Sequence, residues 1–415
     1  MADATPEPEL STTRARRIVI YHLIAGQHLV NYLCRLSIPY IVPFICAQSG
    51  YSDTQRAMLL NSFTPGYVVT QIPGAAMIDL IGAKATLTVN NLGMLVALVL
   101  LPVATRSGAT AVAACFALLG VVQGPYVTAT TWMTKHWVPT GPERPLGIMV
   151  CRNGSNLSKV LAAAITPQLC GRFGWQAVPW FYGAVIAVFV GAWTTLSSSQ
   201  PPPLPSAAPS AESGPKATAA SPRKPARPFT MRLLVTKPAL ALFGSQLSHN
   251  LGEFHVFGPW LPTYFNEVLG VPMQSVGSYT SWGVLTAILM KLVVGVTESR
   301  LLSRGYPQLF LRKAAVTTSS ILVICGIVLF DRTRIPWVAA LAQVIIFSGS
   351  SFDSQAGFLP NTLEVAGDDV GYFGGIMNTG EPAAPSPVAA PPLTVRGCGQ
   401  RCGCPASSSR RAWPG

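Results

Sequence analysis

The sequence predicts an all-α polytopic membrane protein. Of its 415 residues, 49% are hydrophobic and only 11% are charged, whereas about a quarter of the residues in a soluble domain are charged. Apolar stretches of roughly 20 residues, the length that crosses a bilayer as a helix, recur about ten times. Most basic residues fall between these stretches on alternate loops, as the positive-inside rule describes.

Charge and motifs exclude other classes of protein. The net charge of +13 is not gathered on one surface or interleaved with stacking aromatic residues, so the expected partner is the lipid bilayer and not nucleic acid. No GxxxxGK, HExxH or GxSxG motif is present, so we predict no enzyme and no cofactor. Cys398, Cys402 and Cys404 offer three thiols without a nearby histidine, and we predict no metal site.

The first predicted span, residues 18–44, contains three polar side chains in its middle. His28, Asn31 and Arg35 are three and four residues apart, so they share one face of a helix. An arginine in hydrocarbon costs about 3 to 15 kcal/mol, so it must face protein or a water-filled path. Arg35 therefore either marks a route for a solute or pairs with a carboxylate that only holds helices together.

The first half of the chain is predicted to be a six-helix bundle, residues 18–196. It follows a cytosolic N-terminus, residues 1–17, that ends with Arg14, Arg16 and Arg17. This start has no apolar region directly after a basic one, so we expect the first span and not a cleaved signal peptide to target the chain. The six predicted spans are 18–44, 57–78, 85–103, 110–133, 146–169 and 178–196.

A change of composition separates the two halves. Residues 197–236 are rich in Pro, Ser, Ala and basic residues, and we predict a disordered cytosolic linker. A second bundle, residues 237–380, contains about four spans, with a further short helix beginning near Val370. Its predicted spans are 238–263, 275–296, 314–330 and 337–356. Residues 381–415 have no apolar period and are predicted to be a disordered tail.

Helical spacing also predicts the lining of a cavity. Tyr67 and Gln71 share a face in the second span, and Gln123 and Tyr126 share one in the fourth. Together with the first span, the predicted substrate-binding residues are Arg35, His28, Asn31, Tyr67, Gln71, Gln123 and Tyr126.

Charge within the spans indicates the sign of the solute. Basic residues exceed acidic ones in the predicted spans, which favours an anion in a low-dielectric cavity. In the seventh span, His249 and Glu253 lie four residues apart. They are candidates for coupling, since a histidine beside a carboxylate can titrate near neutrality. The alternative is an ordinary hydrogen bond between helices.

The arrangement of six spans, a basic linker and a second set of spans resembles the major facilitator superfamily, whose two halves are related by an axis along the membrane normal. Several stretches resemble one branch of it, the anion:cation symporter family, which includes sialin, sodium-phosphate cotransporters, vesicular glutamate and nucleotide transporters and plastid anion transporters. These stretches are residues 61–84, 118–129, 135–148, 173–183, 259–270 and 354–367.

The resemblance implies a secondary transporter that moves an organic or inorganic anion by alternating access. The solute would be of the phosphate, nucleotide or carboxylate class, with Na⁺, H⁺ or the membrane potential as the driving force. The resemblance also implies a gating loop, in which Asp79, Gly82 and Lys84 match the motif while its usual arginine is Leu80. In the second half, Arg300 matches the partner loop.

The chain also departs from the resemblance. Phe116, Gln123 and Asn250 stand where family members carry arginine or acidic residues. The resemblance implies two further spans after Gly380, where this sequence has its low-complexity tail, so we expect an incomplete C-terminal bundle. The alternative function is therefore a transport-inactive, truncated or regulatory membrane protein of the same family.

Overall fold

The computed structural model describes residues 7–199, 235–250, 261 and 264–379. All regular structure in these ranges is helical. Seven helices form the first half of the chain: α1 (Glu7–Ser49), α2 (Asp53–Asn61), α3 (Phe63–Ile81), α4 (Ala83–Ala104), α5 (Ala109–Trp137), α6 (Arg144–Phe173) and α7 (Ala177–Leu196).

The second half contains six helices in the described residues. They are α8 (Lys237–Asn250), α9 (Met273–Ser303), α10 (Gln308–Arg332), α11 (Pro336–Phe352), α12 (Phe358–Val365) and α13 (Val370–Thr379). A π-helical turn, Asp353–Gly357, joins α11 to α12. The helix expected near Val370 is present as α13. Three predicted segments lie partly or wholly outside the described residues. They are the linker, at residues 200–234, the seventh predicted span, at residues 251–260 and 262–263, and the C-terminal tail.

Local sequence explains where several helices begin and end. Ser52 caps α2, because its side chain accepts the Gln55 amide while the Gln55 side chain accepts the Ser52 amide. The second predicted span is divided at Ser62 into α2 and α3. Gly82 ends α3 with a φ of +86°, a conformation that glycine adopts without steric cost.

Glycines determine the closest helix contacts of the first half. Gly66 of α3 lies against Ala117 of α5, and Gly120 of α5 lies against the main chain of Phe63. Gly154 of α6 meets the main chain of Ala25 in α1 in the same way. In a bilayer, helices associate through such close packing of small residues, since lipid is as apolar as the side chains it replaces. The pairs α3–α5 and α1–α6 accordingly make the most extensive contacts.

Among the described residues, three helix pairs form the most extensive contacts between the two halves. Helix α6 packs on α9, and α13 packs on both α3 and α5. Gly371, Gly374 and Gly375 lie on the side of α13 that faces α3 and α5. These contacts place α1, α3, α5 and α13 around the predicted site.

Six helical segments among the described residues are long and apolar enough to cross a membrane. They are Arg14–Ser49, Ala83–Ser107, Ala109–Trp137, Ala177–Leu196, Ser278–Ser303 and Gln308–Arg332. Helix α6 is not among them, and its middle carries Arg152, Asn156 and Lys159. The total of about ten spans stays a prediction. Large apolar side chains such as Val69, Val188 and Leu289 are exposed on the helix surfaces, as lipid-facing positions require.

Candidate functional site

Arg35 of α1 lies against two aromatic rings. Its guanidinium carbon is 5.2 Å from the ring centroid of Phe63 and 5.0 Å from that of Tyr67. The two rings are stacked, with centroids 5.4 Å apart. Cation–π attraction therefore orients the guanidinium while the side chain stays partly exposed. A charge held in this way remains able to contact a second partner.

Tyr67 connects this arginine to the other half of the chain. Its hydroxyl accepts a hydrogen bond of 2.7 Å from Asn378 Nδ2 of α13. Asn378 is buried, with 7% of its surface exposed. Arg35, Phe63, Tyr67 and Asn378, here called the Arg35 cluster, thus bring both halves to one point. Asn378 was not predicted as a site residue, although its amide lies in the last turn of an otherwise apolar helix.

Gln71 lies one turn beyond Tyr67 on α3. It is fully buried, and neither its amide oxygen nor its amide nitrogen has a hydrogen-bond partner among the described residues. The Thr128 hydroxyl is buried nearby and likewise lacks a partner there. A Cβ at Gly375 would lie 2.9 Å from the Gln71 main-chain oxygen and 3.2 Å from Thr128 Oγ1. Buried polar groups without partners are costly, so this junction is suited to receive a polar ligand group.

His28 occupies a different position on α1. Its Nδ1 contacts the Tyr126 hydroxyl of α5, and the two rings meet edge to face with centroids 5.3 Å apart. His28 also borders a small pocket with Thr131, Thr134, Arg152 and Leu363. This pocket, here called the His28 pocket, is bounded by α1, α5, α6 and α12. His28 and Tyr126 therefore contact each other, and His28 lies beside Arg152. Their role in substrate binding stays a prediction.

Asn31 and Gln123 lie inside the first bundle. Asn31 Nδ2 donates to the Gln27 main-chain oxygen at 2.9 Å, and Asn31 Oδ1 accepts from Asn90 at 3.2 Å. Gln123 Nε2 donates to the Asn31 main-chain oxygen at 3.3 Å. The amides of Gln27 and Asn91 exchange two further bonds of 2.7 and 3.1 Å. These hydrogen bonds join α1, α4 and α5 inside the first bundle.

The predicted coupling residues are not tested by the structure. Glu253 lies outside the described residues, and so does the side chain of His249. Their role stays a prediction.

The predicted gating residues have different partners. Asp79 of α3 lies near Tyr372 of α13, so the two halves approach each other here. Lys84 Nζ donates instead to the main-chain oxygens of Thr194 and Ser197, at 2.7 and 2.9 Å. Lys84 therefore binds the end of α7 within its own half. Gly82 forms the turn between α3 and α4.

In the partner loop of the second half, Ser299 and not the predicted Arg300 contacts the first half. Arg300 itself is exposed, whereas Ser299 Oγ donates to the Pro142 main-chain oxygen at 2.6 Å. Arg312 of α10 is buried against Glu298 at 2.5 Å and Glu364 at 3.1 Å. This ion-pair network holds together α9, α10 and α12 behind the contact with Pro142.

Further contacts between halves gather at the same end of the helices. Gln355 Nε2 donates to the Pro145 main-chain oxygen at 2.9 Å, and Lys135 Nζ donates to the Gly367 main-chain oxygen. Here α3, α5 and α9 end while α6 and α13 begin. This end, together with the Asp79 and Ser299 contacts, is called the closed end below.

The sequence and the fold match known proteins. The pattern of the Major Facilitator Superfamily matches residues 24–385. The fold is similar to a crystal structure of the transporter FucP in the outward conformation, with a TM-score of 0.66 and 10% identity. The match covers 88% of this chain and 89% of the FucP chain. The proton:xylose symporter XylE matches over 89% of this chain and 86% of its own, with a TM-score of 0.67 and 10% identity.

Relatives of higher sequence identity are named for the transport of phosphate, ascorbate and purine nucleotides. The chain is 26% identical to a chloroplastic sodium-dependent phosphate transport protein of Arabidopsis thaliana over 88% of this chain and 70% of that one. It is 26% identical to a chloroplastic ascorbate transporter of the same species, over 88% and 67%. It is also 26% identical to a voltage-gated purine nucleotide uniporter of Homo sapiens, over 86% and 80%.

These matches confirm the predicted fold class and the predicted resemblance. A sequence pattern that covers most of the chain and a fold shared with solved transporters point to the same architecture. The chain therefore belongs to the Major Facilitator Superfamily, as an all-helical multi-pass membrane transporter related to plastid anion transporters and to a purine nucleotide uniporter.

Proposed function

We propose that this chain is a secondary active transporter that moves an organic or inorganic anion by alternating access. The relatives are named for phosphate, ascorbate and purine nucleotides, so the solute belongs to the phosphate, nucleotide or carboxylate class. The observation that carries the proposal is Arg35, a partly exposed guanidinium held on aromatic faces where the two halves meet. Guanidinium geometry suits bidentate contact with phosphate or carboxylate oxygens.

The balance of fixed charge supports an anionic solute. Arg35, Arg152, Lys159 and Lys291 lie in helices of the membrane region. Among the described residues, two buried carboxylates lie in the second half: Glu298, which is paired with Arg312, and Asp353. The four basic side chains therefore outnumber the acidic ones. An anion that enters a low-dielectric region with this excess is stabilised, while a cation is repelled.

Each residue of the site receives a specific role in the proposal. Arg35 holds the charge of the anion, and Tyr67 with Asn378 fixes the position of the second half around it. Gln71 supplies a buried amide that has no hydrogen-bond partner among the described residues. Asn31 and Gln123 act indirectly, because their hydrogen bonds position α1 relative to α5. His28 borders the His28 pocket and contacts Tyr126.

Alternating access requires contacts that can break at one end while others form at the opposite end. Among the described residues, the contacts at the closed end include hydrogen bonds to the main-chain oxygens of Pro142, Pro145 and Gly367. Such bonds separate without leaving a buried unpaired charge. His249 and Glu253 are the proposed coupling pair, with Na⁺, H⁺ or the membrane potential as the driving force.

The experiment is uptake by proteoliposomes that contain the purified chain. Phosphate, ascorbate and a purine nucleotide are offered separately under imposed sodium gradients, pH gradients and membrane potentials. We expect saturable uptake of at least one anion under at least one driving force. Vesicles without protein provide the background. If no anion is taken up above that background while circular dichroism shows a helical protein, the proposal is wrong.

A cross-link tests the alternating-access part of the proposal. Ser299 and Pro142 are in contact at the closed end, so cysteines at both positions are the pair to test for disulfide formation, which gel mobility before and after reduction measures. In a background without other reactive cysteines, oxidation of Pro142→Cys/Ser299→Cys should stop uptake and reduction should restore it. Oxidation of either single variant should leave uptake unchanged. Full uptake by the cross-linked protein would show that this end does not open during transport.

A further inference from the structure

The turn between α9 and α10 carries basic and apolar side chains next to each other on its surface. Arg304 and Lys313 are exposed, and Tyr306, Leu309 and Phe310 are 48%, 64% and 58% exposed. These five residues are here called the α9–α10 patch. We propose that this patch binds the headgroup of a negatively charged phospholipid in the leaflet at the closed end.

The length of α10 places the patch at the surface of a bilayer. Helix α10 is long and apolar enough to cross a membrane. Lys313 and Arg332 stand 19 residues apart, which corresponds to about 28 Å of helix and matches the hydrocarbon core of about 30 Å. One end of this segment therefore lies at each interface, and Lys313 lies at the level of the lipid phosphates.

Lys313 shares a face of α10 with large apolar side chains. Ile321, Ile324 and Val328 follow it at helical spacing, and all three are more than half exposed. A lysine near the end of a membrane-spanning helix extends its ammonium toward the membrane surface. A phospholipid whose acyl chain lies along this face therefore brings its phosphate to Lys313.

Charge determines which phospholipid is favoured. Residues 299–330 contain four basic residues and no acidic one. Of these four, Arg312 is buried and paired with Glu298, whereas the side chains of Arg304 and Lys313 are exposed to the headgroup region. Each basic side chain at a membrane surface strengthens the attraction for negatively charged lipid about fivefold.

The exposed aromatic and apolar side chains favour lipid over a soluble partner. Gly305, with a φ of +86°, ends α9, and the Tyr306 amide donates to the Leu301 main-chain oxygen at 3.2 Å, so the turn has a defined geometry. Tyrosine is enriched at the membrane–water interface, and Leu309 and Phe310 bury apolar surface among acyl chains. Because α10 crosses the membrane, lipid already adjoins these side chains, and a soluble protein would have to displace it.

The inference goes beyond the proposed function, because the phospholipid is not the transported solute. Ser299, just before the patch, donates to the Pro142 main-chain oxygen of the first half. The bound headgroup therefore lies beside a contact of the closed end and apart from the Arg35 cluster.

The test is quenching of a fluorescent label by nitroxide-labelled lipids. In a background without other reactive cysteines, Ile321→Cys carries the label on the proposed lipid face, and Val188→Cys carries it at an exposed position of α7. The purified full chain is reconstituted in phosphatidylcholine vesicles that contain nitroxide-labelled phosphatidylglycerol or nitroxide-labelled phosphatidylcholine. We expect phosphatidylglycerol to be favoured about fivefold or more at Ile321→Cys, and neither lipid to be favoured at Val188→Cys.

Charge variants show which side chains cause the preference. Arg304→Gln/Lys313→Gln should remove the preference at Ile321→Cys. Arg106→Gln/Arg172→Gln removes two exposed charges at the opposite end of the helices and should leave it intact. Lys313→Glu, a single change at an exposed position, should also remove it and keeps the test decisive if the double variant does not fold.

Three results would overturn the inference. The first is equal quenching by the two lipids at Ile321→Cys, and the second is a preference for phosphatidylglycerol that survives in Lys313→Glu. The third is a label at Ile321→Cys that neither lipid quenches while both quench it at Val188→Cys, because protein and not lipid would then cover this face. None of these measurements uses transport, so they leave the proposed role of Arg35 untouched.

Discussion

Removing a single oxygen from Tyr67 should loosen the two halves without moving Arg35. The Tyr67 hydroxyl accepts the 2.7 Å hydrogen bond from Asn378, while the face of its ring holds Arg35. Tyr67→Phe keeps the ring and loses the bond. Buried Asn378 is then left without this partner in the state that the structure shows, so that state becomes less stable than one in which the halves have separated.

The size of the effect follows from measured hydrogen bonds between membrane helices. Such bonds contribute on average about 0.6 kcal/mol and at most about 1.7 kcal/mol. Because about 1.4 kcal/mol corresponds to a tenfold change in an equilibrium constant, the ratio of open to closed molecules should rise about three- to twentyfold. The bond joins α3 to α13, so the change should be seen at the closed end.

Spin-label distances measure this ratio. Glu143 and Arg304 are both exposed, one in each half and both near the closed end, and their cysteine variants accept labels once the native cysteines are replaced. We expect Tyr67→Phe to increase the longer-distance population. The control is Tyr182→Phe, which removes a buried 2.7 Å bond to Thr166 within the first half and should leave the ratio unchanged. Equal ratios in the two variants would refute the reasoning.

Two further predictions concern stability, measured as thermal unfolding in detergent. Gly154→Ala should lower the free energy of unfolding by about 1–3 kcal/mol, because its new methyl group would overlap the main chain of Ala25. The control is Gly171→Ala, on the same helix with open space around it, which should leave stability unchanged. Equal melting temperatures of the two variants would contradict the close contact of Gly154 with Ala25. Arg312→Met should lower the free energy of unfolding by about 3–5 kcal/mol, because it leaves the buried carboxylate of Glu298 unpaired. Adding Glu298→Gln should recover much of this loss. If the losses of the two single variants add up in the double variant, the ion pair is not the cause.

Much of the fold was predictable because the bilayer imposes simple rules on sequence. Helix length, apolar content and the charge of the loops predicted a polytopic helical architecture, and the comparisons confirm that architecture. The break at Ser62 was not predicted, because the apolar pattern continues through it and only the local hydrogen bond of Ser62 to Leu59 reveals the turn. The π-helical turn after α11, Asp353–Gly357, was also not predicted.

The site was predictable only in part, because helical spacing shows which residues share a face but not what that face meets. Tyr67 meets Arg35 and the other half, whereas Gln123 meets α1 and α4 inside its own bundle. Asn378 lies more than 300 residues from Tyr67 in the chain, so no local pattern joins them. Lys84 fits the gating motif by position, yet it bonds to the end of α7.

The central claim is that the charge and shape of the Arg35 side chain hold the transported anion. The direct measurement is kcat/KM for anion uptake by proteoliposomes that contain the original chain, Arg35→Lys or Arg35→Gln, with equal amounts of folded protein. The account predicts a graded loss of kcat/KM. Arg35→Lys keeps the charge but not the bidentate geometry, and its kcat/KM should fall about tenfold or more. Arg35→Gln keeps neither, and its uptake should be close to background. Uptake by Arg35→Gln equal to that of the original chain would contradict the claim.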